Sequence, residues 1–130
     1  MKTYWDSSAL IVVLHTPDLG ATLEPDKDAT RPHALAELFS ILTKGVNFRY
    51  SPENAAKLIH DLASSLDFIE LSKSDALAAT KDAQRLGVRG ARIHDLMHAR
   101  AAQRFGADVL MTLDVAGFTN LAVSFQIRSP

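Results

Sequence analysis

The chain has 130 residues, of which 47% are hydrophobic and 22% charged, the ordinary composition of one folded domain with a substantial core. It has no cysteine, which excludes disulfides, thiolate ligands and thiol nucleophiles, so any metal must be held by carboxylate, imidazole, carbonyl or water. A formal net charge of -1 excludes a surface that coats nucleic acid indiscriminately and leaves only local phosphate contacts.

No apolar run approaches the roughly 20 residues that a membrane span requires, and no basic-then-apolar leader opens the chain. The expectation is a cytoplasmic protein without membrane contact. The opening run Lys2-Thr3-Tyr4-Trp5 is aromatic and β-prone and stops at Asp6. A strand that delivers a carboxylate at its C-terminal end is how open α/β sheets present a ligand group. Asp6-Ser7-Ser8 is also a helix start, and the apolar run from Ser8 to Leu14 is read as helix on that account.

From His15 to Arg31 the density of Pro, Asp, Gly, Thr and Lys predicts an irregular surface loop, made acidic by Glu24, Asp26 and Asp28. Pro32 then stands as a first-turn proline, and Leu35, Leu38, Phe39 and Leu42 recur at helical spacing in a helix that carries Glu37 and ends at Lys44-Gly45. Ser51-Pro52-Glu53 opens another, with Ala55, Ile59, Leu62 and Leu66 as its apolar stripe.

Asp67 to Leu71 reads as a short strand. Ser72 to Leu86 reads as a helix opened by Ser72 and Asp75 at capping-box spacing and closed by Gly87. Val88 to Ile93 is expected to be a loop, followed by a helix from about Asp95 to Phe105 that Gly106 terminates. Asp108 to Leu113 predicts a strand that ends at Asp114, much as the first ends at Asp6. Gly117-Phe118 is expected to turn, Leu121 to Ile127 to form a last strand, and Arg128-Ser129-Pro130 to be a loose tail.

Strands alternating with helices imply an α/β fold: one three-layer domain over residues 1–130 with a central, mostly parallel sheet of about four to five short strands flanked by helices. The functional edge is then the one where the strands end. Four acids meet there: Asp6 and Asp114 at strand ends, Asp95 at a helix start, and Glu37 on a helix that leans over the sheet. Each alone is an ordinary cap or surface acid. Gathered together they repel unless a cation compensates them, and an all-oxygen cluster suits Mg²⁺ or Mn²⁺. Such ions activate water and polarise phosphoryl oxygens.

In these motifs the sequence resembles the PIN-domain ribonucleases and, within them, the VapC-type toxins of bacterial toxin–antitoxin pairs. The resemblance is carried by Tyr4-Trp5-Asp6-Ser7-Ser8-Ala9-Leu10, Thr30-Arg31-Pro32-His33-Ala34-Leu35-Ala36-Glu37, Gly90-Ala91-Arg92-Ile93-His94-Asp95 and Met111-Thr112-Leu113-Asp114 with Phe118. It implies that Asp6, Glu37, Asp95 and Asp114 form the catalytic cluster that holds Mg²⁺ or Mn²⁺, with Ser8 and Thr112 as supporting hydroxyls. It also implies cleavage of RNA, such as transfer or ribosomal RNA, by metal-activated water, silencing by a cognate antitoxin protein, and a homodimer. Where many relatives carry a further acid, this chain has Val115, Ala116 and Gly117.

Under that reading the arginine-rich region positions RNA through phosphate contacts, with Arg92 first and Arg89, Arg49 and Arg100 after it. Trp5 is expected in the core rather than against a base. Two rivals stand beside the nuclease. One is a degenerate PIN domain that binds antitoxin or RNA without catalysis, supported by the missing acid. The other is a zinc or manganese hydrolase built on the i, i+4 pairs His33 with Glu37 and His94 with His98, although the HExxH order is absent. A phospho-accepting receiver domain is set aside for want of an acid pair after the first strand.

Overall fold

Side chains on a strand alternate between its faces, so the neighbours Tyr4 and Trp5 can both be buried only if the sheet they belong to is covered on both sides. In the computed structural model, which describes residues 1–44 and 48–130, both are buried, in different clusters. Strand β1 (Thr3–Trp5) sends Trp5 into a core with Leu10, Leu38, Leu42, Ile59 and Leu62. It sends Tyr4 into a second core with Leu96, Ala99, Leu110, Phe118 and Leu121. The result is the expected α/β architecture in three layers.

The helices sort by core. Helices α1 (Ser7–Leu14), α3 (His33–Lys44) and α4 (Pro52–Ala63) bury their apolar faces on the Trp5 side. Helices α5 (Lys73–Leu86), α6 (Arg92–Phe105) and the short α7 (Val115–Phe118) lie on the Tyr4 side. Local chemistry sets their ends. Asp6 caps α1, Ser51 caps α4, and Ser72 with Asp75 forms a complete capping box on α5. Gly87 and Gly106 close α5 and α6 in the left-handed conformation that glycine adopts without a Cβ penalty.

The sheet is all parallel, with β2 (Asp28–Thr30), β3 (Asp67–Phe68), β4 (Val109–Met111) and β5 (Gln126–Arg128) arranged in the order β3-β2-β1-β4-β5. The chain runs outward from β1 through β2 to β3, then returns to the other side of β1 for β4 and β5. Reversal of direction puts the later helices on the opposite face and opens a crevice at the C-terminal ends of β1 and β4, where open α/β sheets take their ligands. Asp6 follows β1 at this point, and Thr112 to Asp114 follow β4.

Several elements differ from the sequence expectation. The stretch from His15 to Arg31 is not one irregular loop: it holds a short helix α2 (Pro17–Gly20) and the buried strand β2. Asp-Ala-Thr carries little strand preference of its own, and the pairing of β2 between β1 and β3 decides its state. Asp28 is therefore no surface charge. It is buried, accepting from Nε1 of Trp5 at 2.8 Å and from the backbone N–H of Glu24 at 2.9 Å. Helix α6 begins at Arg92, inside the segment expected to be loop. Gly117 and Phe118 end a helical turn, and the last strand includes Arg128 from the supposed tail. Gly45, the expected end of α3, lies outside the described residues. Among the described residues no helix is long and apolar enough to cross a membrane.

Candidate functional site

Asp6 leaves β1 in extended conformation and caps α1, so the strand end fixes its backbone and the helix start fixes its side chain. Oδ1 accepts from the N–H of Ala9 at 2.9 Å and from Oγ of Ser8 at 2.7 Å. Oδ2 accepts from Oγ1 of Thr112 at 2.6 Å. These three donors leave the carboxylate, which has about four lone-pair sites, one acceptor position for a ligand. Ser8 and Thr112 also hold the turn after β4: Oγ of Ser8 accepts from the N–H of Leu113 at 2.9 Å, and Oγ1 of Thr112 from that of Asp114 at 3.0 Å. Both hydroxyls thus bridge the Asp6 carboxylate and the turn that carries Asp114.

Asp114 caps α7, with Oδ1 accepting from the N–H of Gly117 at 3.1 Å. Asp95 reaches the same turn from the first turn of α6. A Cβ on Gly117 would lie 2.5 Å from Oδ2 of Asp114 and 3.2 Å from Oδ2 of Asp95. The two carboxylates therefore share one small space, kept open by the missing side chain. Burial and then the charge of Asp114, with a further contribution from Asp6, push the Asp95 carboxyl above its usual range, against the opposing pull of His98 and Arg92.

Glu37 belongs to a different arrangement. Its Oε1 lies 3.0 Å from Nε2 of His98, whose Nδ1 lies 2.8 Å from the hydroxyl of Tyr4. Burial raises the Tyr4 hydroxyl far above its normal range, so Tyr4 stays protonated and donates to Nδ1. That leaves Nε2–H to donate to Glu37. Burial works to raise the Glu37 carboxyl, but the hydrogen bond from His98 and the electrostatic pull of His98, His33 and Arg31 hold it below its usual range.

Among the described residues no group of three or more His, Asp or Glu side chains stands close enough to hold one metal ion. The donor chemistry nonetheless fits a hard cation. Asp95 and Asp114 offer adjacent carboxylate oxygens, Asp6 adds negative charge, and Mg²⁺ commonly takes only one or two protein carboxylates with waters and substrate phosphates completing its shell. The histidines do not make a rival centre. Both ring nitrogens of His98 are engaged, and His94 stacks on His33 with ring centroids 5.6 Å apart.

The arginines divide. Arg92 donates to the carbonyls of Gly117 at 3.0 Å and Gly87 at 3.4 Å, pinning α7 against the start of α6. Arg100 faces α5, bound to Asp82 at 3.1 Å and to Gln103 at 3.0 Å. Arg85 and Arg104 likewise meet the α5 acids Asp82 and Asp75. Arg89 and Arg49 are exposed. Trp5 is in the core, as expected.

Two residues at this edge carry no sequence signal for such a place. Gly117 reads only as a turn former, and its role depends on two carboxylates brought together by the fold. Arg31 follows directly on β2, so its position at the strand-end edge is visible only once that strand is known. Its charge reaches Glu37, His33 and Tyr4.

No protein-family model matches this sequence, and no curated protein is significantly similar to it. In three dimensions the chain is similar to a chain of VapBC-1 from nontypeable Haemophilus influenzae, at 19% identity and TM-score 0.67 over 99% of this chain and 98% of that one. It is similar to PAE2754 from Pyrobaculum aerophilum, at 21% identity and TM-score 0.68 over 92% and 87%. It is also similar to a chain of VapBC2 from Rickettsia felis bound to a promoter DNA fragment, at 15% identity and TM-score 0.63 over 100% and 99%. Likeness at this level of identity speaks to architecture, and by that measure the chain is a PIN-like α/β domain.

Proposed function

We propose that the protein is a metal-dependent endoribonuclease that hydrolyses phosphodiester bonds in structured or single-stranded RNA, with Mg²⁺ or Mn²⁺ as cofactor. The observation that carries this reading is the pairing of Asp95 and Asp114 across Gly117, with the charge of Asp6 behind them and Arg92, bonded to backbone carbonyls, offsetting that charge only in part. Such an ion, when bound, lowers the pKa of a coordinated water and polarises a phosphoryl oxygen. Asp95 and Asp114 would hold it, Asp6 would offer its remaining lone pair to a water, and Glu37, whose Oε1 is engaged by His98, would have Oε2 free to take a proton. Arg92, Arg89 and Arg49 guide the RNA backbone.

Two of the similar structures are VapBC pairs. On that likeness we read the protein as the toxin of a toxin–antitoxin pair, silenced by a cognate antitoxin; the homodimer is what the sequence's resemblance to VapC-type toxins implies. The test is cleavage of a mixed transfer and ribosomal RNA pool with Mg²⁺, Mn²⁺, Zn²⁺ or chelator. Asp6→Asn, Glu37→Gln and Asp95→Asn are run beside the parent. Discrete cuts that require Mg²⁺ or Mn²⁺ and nearly vanish in each variant are expected. Variants that cleave like the parent would remove the acidic site from the mechanism.

A second reading, a domain that binds antitoxin or RNA without cutting it, is favoured by the absence of a three-ligand group among the described residues. RNA binding that persists without turnover under every divalent ion would decide for it.

A further inference from the structure

A crevice of about 220 Å³ opens beside the acids, at the ends of β2 and β3, lined among others by Arg31, His33, Ile69, Glu70, Leu71 and Met97. Its place follows from the parallel sheet: Arg31 comes directly after β2, and Ile69 comes directly after β3, its N–H bonded to the carbonyl of Thr30 at 2.8 Å. The crevice thus shares the edge on which Asp6 and Asp114 stand. His33 joins the two regions, because it stacks on His94, the residue before Asp95, with the rings within 8° of parallel.

The lining is of two kinds. Ile69, Leu71 and Met97 are partly buried against the Tyr4 core and give the crevice apolar walls. Arg31 lines it with a guanidinium; the Nε of that group is sealed from solvent and has no hydrogen-bond partner among the described residues, so the donors open to a ligand are those of the outer nitrogens. A guanidinium carries donors and no acceptor, so a ligand seated there must bring the acceptors. A phosphate is a poor candidate, since an anion would be desolvated against apolar walls beside the Glu70 carboxylate. A nucleobase has apolar faces and a polar edge, and RNA is read by splaying out single bases in this manner. The volume falls below the roughly 300 Å³ at which pockets for drug-sized molecules begin, which suits one base.

We propose that this crevice is a subsite for one unstacked guanine, whose O6 and N7 accept from the two outer Nη–H groups of Arg31 while Ile69, Leu71 and Met97 cover its faces. Two adjacent acceptors match the guanidinium fork, whereas adenine turns an amino donor toward the same place. The subsite deepens the ribonuclease reading and rests on it for its biological meaning, but base binding itself needs neither metal nor turnover.

The experiment is a ¹H–¹⁵N and methyl NMR titration of the whole protein in chelator. It follows the Arg31 Nε–H and the Met97 methyl as GMP, AMP, CMP, UMP or ribose 5-phosphate is added. Saturable shifts at both groups are expected with GMP, at least about tenfold tighter than with AMP. Ribose 5-phosphate should leave them unmoved. Arg31→Lys, which keeps the charge and loses the fork, should bring GMP down to the AMP level. Equal binding of GMP and AMP, shifts driven by ribose 5-phosphate alone, or an undiminished GMP preference in Arg31→Lys would each overturn the subsite. Failure of RNA cleavage with GMP still seated would sink the nuclease and leave the subsite; cleavage without guanine preference in the titration would do the reverse.

Discussion

Thr112 donates its hydroxyl to Oδ2 of Asp6 across 2.6 Å, although the two residues are 106 positions apart in the chain. The bond closes the crevice between β1 and β4, because the hydroxyl oxygen of Thr112 also accepts from the N–H of Asp114. One buried hydroxyl therefore orients two of the four acids.

Thr112→Val keeps the shape and removes both hydrogen bonds. Leaving the Asp114 N–H and one Asp6 oxygen short of a partner should cost about 1–3 kcal/mol in a denaturant titration. Loss of a supporting contact of this kind should weaken Mn²⁺ binding by roughly 10–100-fold. An unchanged metal titration would show that Asp6 is oriented by Ser8 and Ala9 alone.

Gly117→Ala puts a methyl where 2.5 Å separates it from Oδ2 of Asp114 and 3.2 Å from Oδ2 of Asp95. The carboxylates can swing aside, so the fold should survive with a near-normal melting temperature. Their pairing should not, and a displacement of that size should lower cleavage about a hundredfold. Retained activity would place the reacting metal away from this pair.

Asp95 and Glu37 should affect the metal-free protein in opposite senses. The Asp95 carboxyl is held above its ordinary 3.8 by burial and the charge of Asp114. The folded state then binds more protons than the unfolded, and stability falls as pH rises through that interval. Asp95→Asn should raise the melting temperature in chelator at neutral pH and abolish the extra stabilisation by Mg²⁺. Glu37 is held below its ordinary 4.5, net of burial, chiefly by His98. Its contribution is full above that value and lost as pH falls through the lowered one, so Glu37→Gln should lower the melting temperature at neutral pH. Both differences should shrink on the acid side of these values. Shifts of the same sign would contradict the assignment.

Asp28→Ala should act on the fold alone. It strands the Trp5 indole N–H and the Glu24 N–H that the carboxylate now satisfies, a loss of about 1–3 kcal/mol for each buried donor left unpaired. Metal affinity per folded molecule should stay at the parent value, which an Mn²⁺ titration below the unfolding transition would check.

Much of this was legible in the chain itself. Tyr4-Trp5-Asp6 announced a strand ending in a carboxylate, Ser72 with Asp75 announced a helix start, and Gly87 and Gly106 announced helix ends, because caps and short β-prone runs act through neighbouring residues. Alternation of strands and helices was enough to imply parallel pairing and a common edge for Asp6, Asp95 and Asp114. The tertiary structure decided what depends on distant partners. Asp-Ala-Thr became β2 because two strands flank it, and that hid both the burial of Asp28 and the strand-end position of Arg31. Glu37 was placed at the edge by sequence, but only the fold gave it His98 and Tyr4 as company. Arg100 was drawn to Asp82 on α5 by helix packing that no local pattern encodes. Side-chain spacing along one element is a local property, whereas the meeting of charges from different elements is set by how the layers stack, and the crevice beside β1 is made of such meetings.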